Sequence, residues 1–408
     1  MLEKQDKGNK EIIFGQKVVI YLCFYFGIAA ILDFFLKIKF LGLSFFVTIL
    51  PYSLLAFVFF KNLRKINALH KFLYVILVGL FLIIVLLRSL YYNENLINLI
   101  GTNRYVFFVP LVLMLFERIN FDNLRNVKVS FFLFIILAIH AVNSVFYISG
   151  LPFIEHVDVL ADDYVAFGRF GGIMGGANVQ AVFTSTIYLI LVLSNWRMSL
   201  SRFIIISIVA IVAVMPTVSK GGALILLFGL SYYVFKNISS GSVVRKISLV
   251  TILSIVVLFF MYESYLSNLG LLYTAFSNRL EADDISSGRW ERLDYFWSII
   301  NENLVRYFIG APGSALTQGG NDVSDNVFTL LPVNFGFVFS LIFFSYMAII
   351  VRNYYRNAFN LNLFLLTIFI VSLVNNSIIW TAWSYYVIFG FFYLLHTNKV
   401  SKELVTNS

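Results

Sequence analysis

The chain has 408 residues, 60% of them hydrophobic, 18% aromatic and only 12% charged, with a formal net charge of +9. A soluble domain carries about 25% charged residues, so the polar shell that a water-soluble fold of this length needs is missing. This composition excludes a soluble enzyme, a nucleic-acid binder or a disordered tail as a description of the whole chain.

Twelve helical spans of ~20 residues would use ~240 residues, about 59% of the chain, close to the hydrophobic fraction. The expected fold class is an all-α polytopic membrane protein, a single integral membrane domain over 1–408. In chain order the apolar runs predict spans at 18–36, 40–60, 72–87, 97–116, 129–148, 171–194, 203–217, 219–235, 247–265, 327–351, 359–376 and 380–396. The first run follows Lys4, Lys7, Lys10 and Lys17 without a small-residue cleavage site after it, so it is expected to be a retained span.

With a cytoplasmic N-terminus, alternating loops place 20 of the 30 Lys/Arg inside. Ten remain outside: Lys37, Lys39, Arg88, Arg104, Arg169, Lys220, Arg279, Arg289, Arg292 and Arg306. That bias puts both termini in the cytoplasm. Two outer segments are then longer than a connection requires, 149–170 and 266–326. The first holds Glu155, Asp158, Asp162 and Asp163, solvated loop charges or contacts for sugar hydroxyls, and His156, a candidate base. In the second, Trp290, Leu293, Trp297, Ile300 and Leu304 recur in steps of three and four. They predict one amphipathic helix over 288–308, ended by Gly310, Pro312 and Gly313, that lies on the membrane or lids a cavity. Arg289 falls on the border of its apolar stripe.

The only cysteine, Cys23, leaves no internal disulfide, and the four histidines lack metal-ligand spacing. His140, inside the fifth run, is expected to be an interhelical contact. No Walker-type phosphate loop is present, and neither metal nor cofactor is expected. Charges at membrane depth are costly and therefore mark function by default. Arg104 follows Gly101-Thr102-Asn103 at the mouth of the fourth span, where it either snorkels or serves a ligand. Arg169 stands in Gly168-Arg169-Phe170-Gly171-Gly172, and Lys220 in Pro216-Thr217-Val218-Ser219-Lys220-Gly221-Gly222. Cations gathered on one face suit an anion such as a diphosphate, gripped by Arg forks and a Lys point charge. In Asn321-Asp322-Val323-Ser324-Asp325-Asn326-Val327-Phe328, Asp325 is either a helix cap or a general base, with Asp322 behind it.

The order of these features resembles the O-antigen polymerase and O-antigen ligase superfamily of bacterial envelope glycosyltransferases. The similarity runs over roughly 165–340. It rests on Arg169 with Gly171-Gly172, on Ala177-Asn178, and on Thr217-Val218-Ser219-Lys220-Gly221-Gly222. Arg279, Ser287-Gly288-Arg289, the run Ile309-Gly310-Ala311-Pro312-Gly313 and Ser324-Asp325-Asn326-Val327-Phe328 complete it. Lys220 stands where the family more often has Arg, and Asp325 where ligases show His, which favours the polymerase.

The resemblance implies an enzyme of the bacterial inner membrane that needs no metal or nucleotide. It would transfer a growing glycan from undecaprenyl diphosphate to a hydroxyl of a fresh lipid-linked repeat unit, making O-antigen or a related polysaccharide. On this reading Arg289 and Asp325 are catalytic, and Arg169, Lys220, Arg279 and Arg292 hold the diphosphate. Asp322, Asn326 and Arg104 are secondary candidates. Expected partners are the lipid-linked oligosaccharide, the bilayer and a chain-length regulator in the same membrane, with no nucleic acid. A ligase acting on lipid A-core is the near rival. A lipid-linked oligosaccharide flippase is the rival of another class, disfavoured by the absence of an evident internal repeat.

Overall fold

The computed structural model describes residues 21–23, 25–27, 53–58, 60–61, 64, 66–116, 129–151, 154, 170–174, 176–194, 198–217, 219–238, 289–316, 327–355, 358–374 and 381–406. For some residues near helix ends, Lys220, Arg289 and Arg292 among them, only the backbone is described. Among the described residues the regular structure is helical throughout, with no strand. The helices are α1 (Ala68–Tyr92), α2 (Leu96–Thr102), α3 (Tyr105–Phe116), α4 (Val129–Ile148), α5 (Ala177–Ser194), α6 (Leu200–Val214) and α7 (Lys220–Ile238). They continue with α8 (Arg289–Asn301), α9 (Leu304–Ile309), α10 (Gly313–Leu316), α11 (Val327–Tyr354), α12 (Phe359–Val374) and α13 (Thr381–Thr406).

Five of the described helices are long and apolar enough to cross a membrane: α1, α4, α5, α11, and α6 with the 3-10 turn that carries it to Thr217. The bent pair α2–α3 reaches that length and hydropathy only when its two helices are taken together. The chain is a multi-pass membrane protein, all-helical over the described residues. The predicted span at 247–265 lies outside the described residues, as do most of those at 18–36 and 40–60.

Helix α5 forms the centre. Every residue from Gln180 to Leu193 is buried, with α4, α6, α7, α12 and α13 packed around it. Its hydroxyls survive that burial by bonding back along the helix, Thr184 to the Gln180 carbonyl at 2.7 Å and Thr186 to that of Val182 at 2.7 Å. Thr186 Oγ1 also accepts from the indole of Trp383 at 3.0 Å, tying α13 to α5. Close approach of α7 follows from small residues, because a Cβ on Gly222 would sit 2.6 Å from that of Ala181. By contrast α1 keeps one side open, with Phe72, Val75, Ile83, Leu86 and Leu90 exposed at successive steps of three, eight, three and four. That stripe is the surface a lipid-facing span presents.

Two predicted helices are broken. The fourth span, expected as one run over 97–116, bends by 43° between α2 and α3. Asn103 ends α2, its backbone N–H and its side-chain amide both donating to the Leu99 carbonyl, at 3.3 and 2.8 Å, so the side chain adds a bond to the last turn where the helix stops. The amphipathic helix expected over 288–308 is two helices, because Asn303 caps α9 through a 3.0 Å bond from the Val305 amide. Its inward face also differs from the predicted stripe. Phe296, Ile299 and Ile300 bury against Val333 and Ala311, whereas Trp297 is 43% and Leu304 74% exposed.

Candidate functional site

Two of the sequence motifs meet at the adjoining starts of α5 and α7. The Phe170 amide donates to the Pro216 carbonyl at 3.0 Å, and the Ser219 hydroxyl donates to Asn178 Oδ1 at 3.1 Å. These bonds bring the Phe170-Gly171-Gly172 segment and the 216–222 turn against the first turn of α5. Gly172 has a φ of +61° and lies on the Gln180 side chain, 2.6 Å from where its Cβ would stand. Gln180 in turn accepts from the Met174 amide at 3.3 Å and pairs with His140 Nδ1, its Nε2 at 2.8 Å. His140 Nε2 reaches the Gly27 carbonyl at 3.0 Å, so this buried imidazole links α4, α5 and the 25–27 helical segment. It is the interhelical contact expected of it.

The starting ends of α5 and α7 thus lie together, and neither has an acid in its first turn. Unpaired amides and the helix dipole make such ends favourable for anions. Lys220 is the first residue of α7, and Arg104 occupies the cap position of α3, its carbonyl accepting from the Phe108 amide at 3.1 Å. Arg289 and Arg292 fall in the first turn of α8. Cations are disfavoured at these ends on helix grounds alone. Arg104 is exposed at the α2–α3 break rather than at the mouth of a continuous span. Arg169, Arg279, Asp322, Asp325 and Asn326 lie outside the described residues, as do His156 and the acids of 155–163.

A second polar cluster joins Arg88, Gly310 and Gly313 to Tyr92, Glu94 and Asn334, which composition and spacing did not single out. Arg88, 2% exposed, donates through Nε to Glu94 Oε2 at 3.0 Å and through Nη2 to Glu94 Oε1 at 3.2 Å. Its Nη1 bonds the carbonyl of Asn334. Glu94 Oε1 also accepts from the Gly313 amide, and the Tyr92 hydroxyl donates to the Gly310 carbonyl at 2.8 Å.

This cluster explains a kink. Gly336, at φ +79°, interrupts α11 at a kink, and two carbonyls of the preceding turn bond outside the helix. The Val333 carbonyl accepts from the Ala311 amide at 2.7 Å, and that of Asn334 accepts from Arg88. A Cβ on Gly310 would stand 2.4 Å from the Val333 oxygen, and one on Gly336 2.5 Å from the Phe308 backbone. Both glycines adopt positive φ, so backbone packs directly on backbone there. Arg88, counted by sequence as a topological charge on the outer face, is occupied by this structural work. The signal that could have found it is an arginine in an otherwise apolar run, followed after Asn93 by Glu94.

No family model, no curated protein and no solved structure matches the chain.

Proposed function

We propose that the protein polymerises undecaprenyl-diphosphate-linked oligosaccharide repeat units at the outer face of the bacterial inner membrane. The diphosphate binds where α5 and α7 begin. One observation carries this reading. The segments beginning at Phe170 and at Pro216, weak motifs when taken singly, meet at a pair of helix starts with Lys220 in first position. A cation placed where the helix dipole already favours negative charge suits an anionic leaving group.

In the proposed reaction an acceptor hydroxyl forms a new bond to the anomeric carbon of the growing glycan as the bond from that carbon to the diphosphate oxygen breaks. The hydroxyl proton passes to Asp325, and the charge developing on the diphosphate is stabilised by Lys220 with Arg169, Arg279, Arg289 and Arg292. Cations in these positions take the part a metal ion plays elsewhere. Asp322, Asn326 and Arg104 are secondary candidates for the same reaction, and a chain-length regulator is the partner that would set polymer size. Transfer to lipid A-core would make the protein a ligase instead.

A translocation reading draws support from the helix breaks at Asn103–Arg104 and at Gly336, since transporters place substrates at discontinuous helices. Purified protein in vesicles, supplied with synthetic lipid-linked repeat units but no metal or nucleotide, separates the readings. A ladder of polymer is expected. Units that cross the bilayer unjoined would replace the proposal with a flippase, and transfer only to added lipid A-core would replace it with a ligase.

A further inference from the structure

The lipid-facing stripe of α1 does not stop at its end. Tyr91, 56% exposed, accepts a 3.3 Å hydrogen bond from the Asn303 side chain, which joins α1 to the start of α9. Leu304 and Phe308, one turn apart on α9, are 74% and 55% exposed. At 100° per residue Arg306 falls on the opposite side, where it bonds the Ile299 carbonyl and Glu302. Val305 and Ile309 pack inward. The same division marks α2, where Leu99 and Ile100 face the core, Ile97 is 78% exposed, and Asn98 and Thr102 lie on a polar side. Both short helices therefore have three faces, one against protein, one polar and one openly apolar.

We infer that α2 and α9 lie in the plane of the membrane, with Ile97, Leu304 and Phe308 immersed in the outer-leaflet lipid that covers α1. Their apolar faces continue the α1 stripe, and a helix with one apolar and one polar side settles at the headgroup boundary. The first part of the fourth apolar run is then an interfacial anchor rather than a stretch of transmembrane helix. Helix α8 differs, because Phe296, Ile299 and Ile300 are spent on Val333 of α11 and on Ala311. The inference holds for any activity carried out at this face.

The test is nitroxide labelling of Ile97→Cys, Leu304→Cys and Phe308→Cys, each in a Cys23→Ser background. The protein is reconstituted in phosphatidylethanolamine and phosphatidylglycerol vesicles. Leu90→Cys on α1 serves as the lipid reference and Ser298→Cys, on the exposed side of α8, as the water reference. Collisions with oxygen should be frequent and collisions with a water-soluble nickel chelate rare at all three sites, as at Leu90 and unlike Ser298. Nickel access equal to that of Ser298 would put the helices in water and overturn the inference. Low access to both probes would show a protein surface covering the patch, and would overturn it as well.

Discussion

Arg88 and Glu94 form a two-bond ion pair across the end of α1, and each also caps backbone from a distant segment, the Asn334 carbonyl and the Gly313 amide respectively. The pair therefore fastens the α9–α10 connection and the kink of α11 to the same helix. Removing one partner of a buried pair leaves the other uncompensated, at a cost of about 3–5 kcal/mol. Glu94→Ala is expected to lower the thermal midpoint in detergent strongly. Glu94→Gln should fall between it and the parent protein, because an amide oxygen still accepts from Gly313. Equal midpoints for the two variants would show that the carboxylate charge, rather than backbone capping, is what the fold requires.

Gly310 and Gly336 are expected to resist substitution for a reason that Gly79 does not share. Each has positive φ, and each added Cβ would meet backbone within 2.5 Å, whereas a Cβ on Gly79 in α1 meets nothing within 4 Å. Gly336→Ala and Gly310→Ala should remove folded protein from the membrane fraction. Gly79→Ala should be tolerated and gain up to about 1 kcal/mol from helix propensity. Expression followed by size-exclusion profiles of all three variants checks the contrast.

The long apolar runs were legible in the sequence because hydropathy is a local property. The run at 129–148 coincides with α4, and the run expected to begin at 327 opens α11 at Val327. The breaks were hidden because asparagine carries little weight in a hydropathy count. Asn67, Asn95 and Asn303 cap helices, Asn103 ends one, and Asn93 turns the chain with φ 58°. That turn brings Glu94 back onto Arg88 at a separation of six residues, which is not a helix-face spacing. On α8, Phe296, Trp297, Ile299 and Ile300 make the apolar arc so wide that periodicity alone could not choose its centre. At the candidate site, the glycines and the outlying Lys220 were visible as motifs. The part played by Gln180 was not, since it depends on a histidine 40 residues away.

Orientation has its own test. The excess of Lys/Arg on alternate loops predicts α8 and α10 outside and the turn near Arg64 inside. Ser298 and Ser314 are exposed, and Arg64 is exposed on the other set of loops. In a Cys23→Ser background, Ser298→Cys and Ser314→Cys should react with an impermeant maleimide from outside intact cells. Arg64→Cys should react only after the membrane is opened. The reverse pattern would invert the protein and remove the outer-face reaction with it.

Stability and activity should move in opposite directions at Lys220. The residue opens α7, whose first turn carries no acid, so its charge opposes the helix dipole. Lys220→Glu should therefore stabilise the fold, by about 0.3–1 kcal/mol. If the same charge holds the leaving diphosphate, Lys220→Glu and Lys220→Ala should both lower the polymerisation rate by ~10²–10³-fold, the usual loss for one contact made mainly in the transition state. Lys220→Arg should retain much of the rate, and Arg289→Ala should behave like Lys220→Ala, with Arg289→Lys a partial rescue. Chelation of divalent metals should leave the parent rate unchanged. Thermal unfolding and ladder formation measured on the same preparations decide the matter. A Lys220→Glu protein that unfolds earlier and still polymerises would make Lys220 a structural residue and leave the diphosphate without its proposed site.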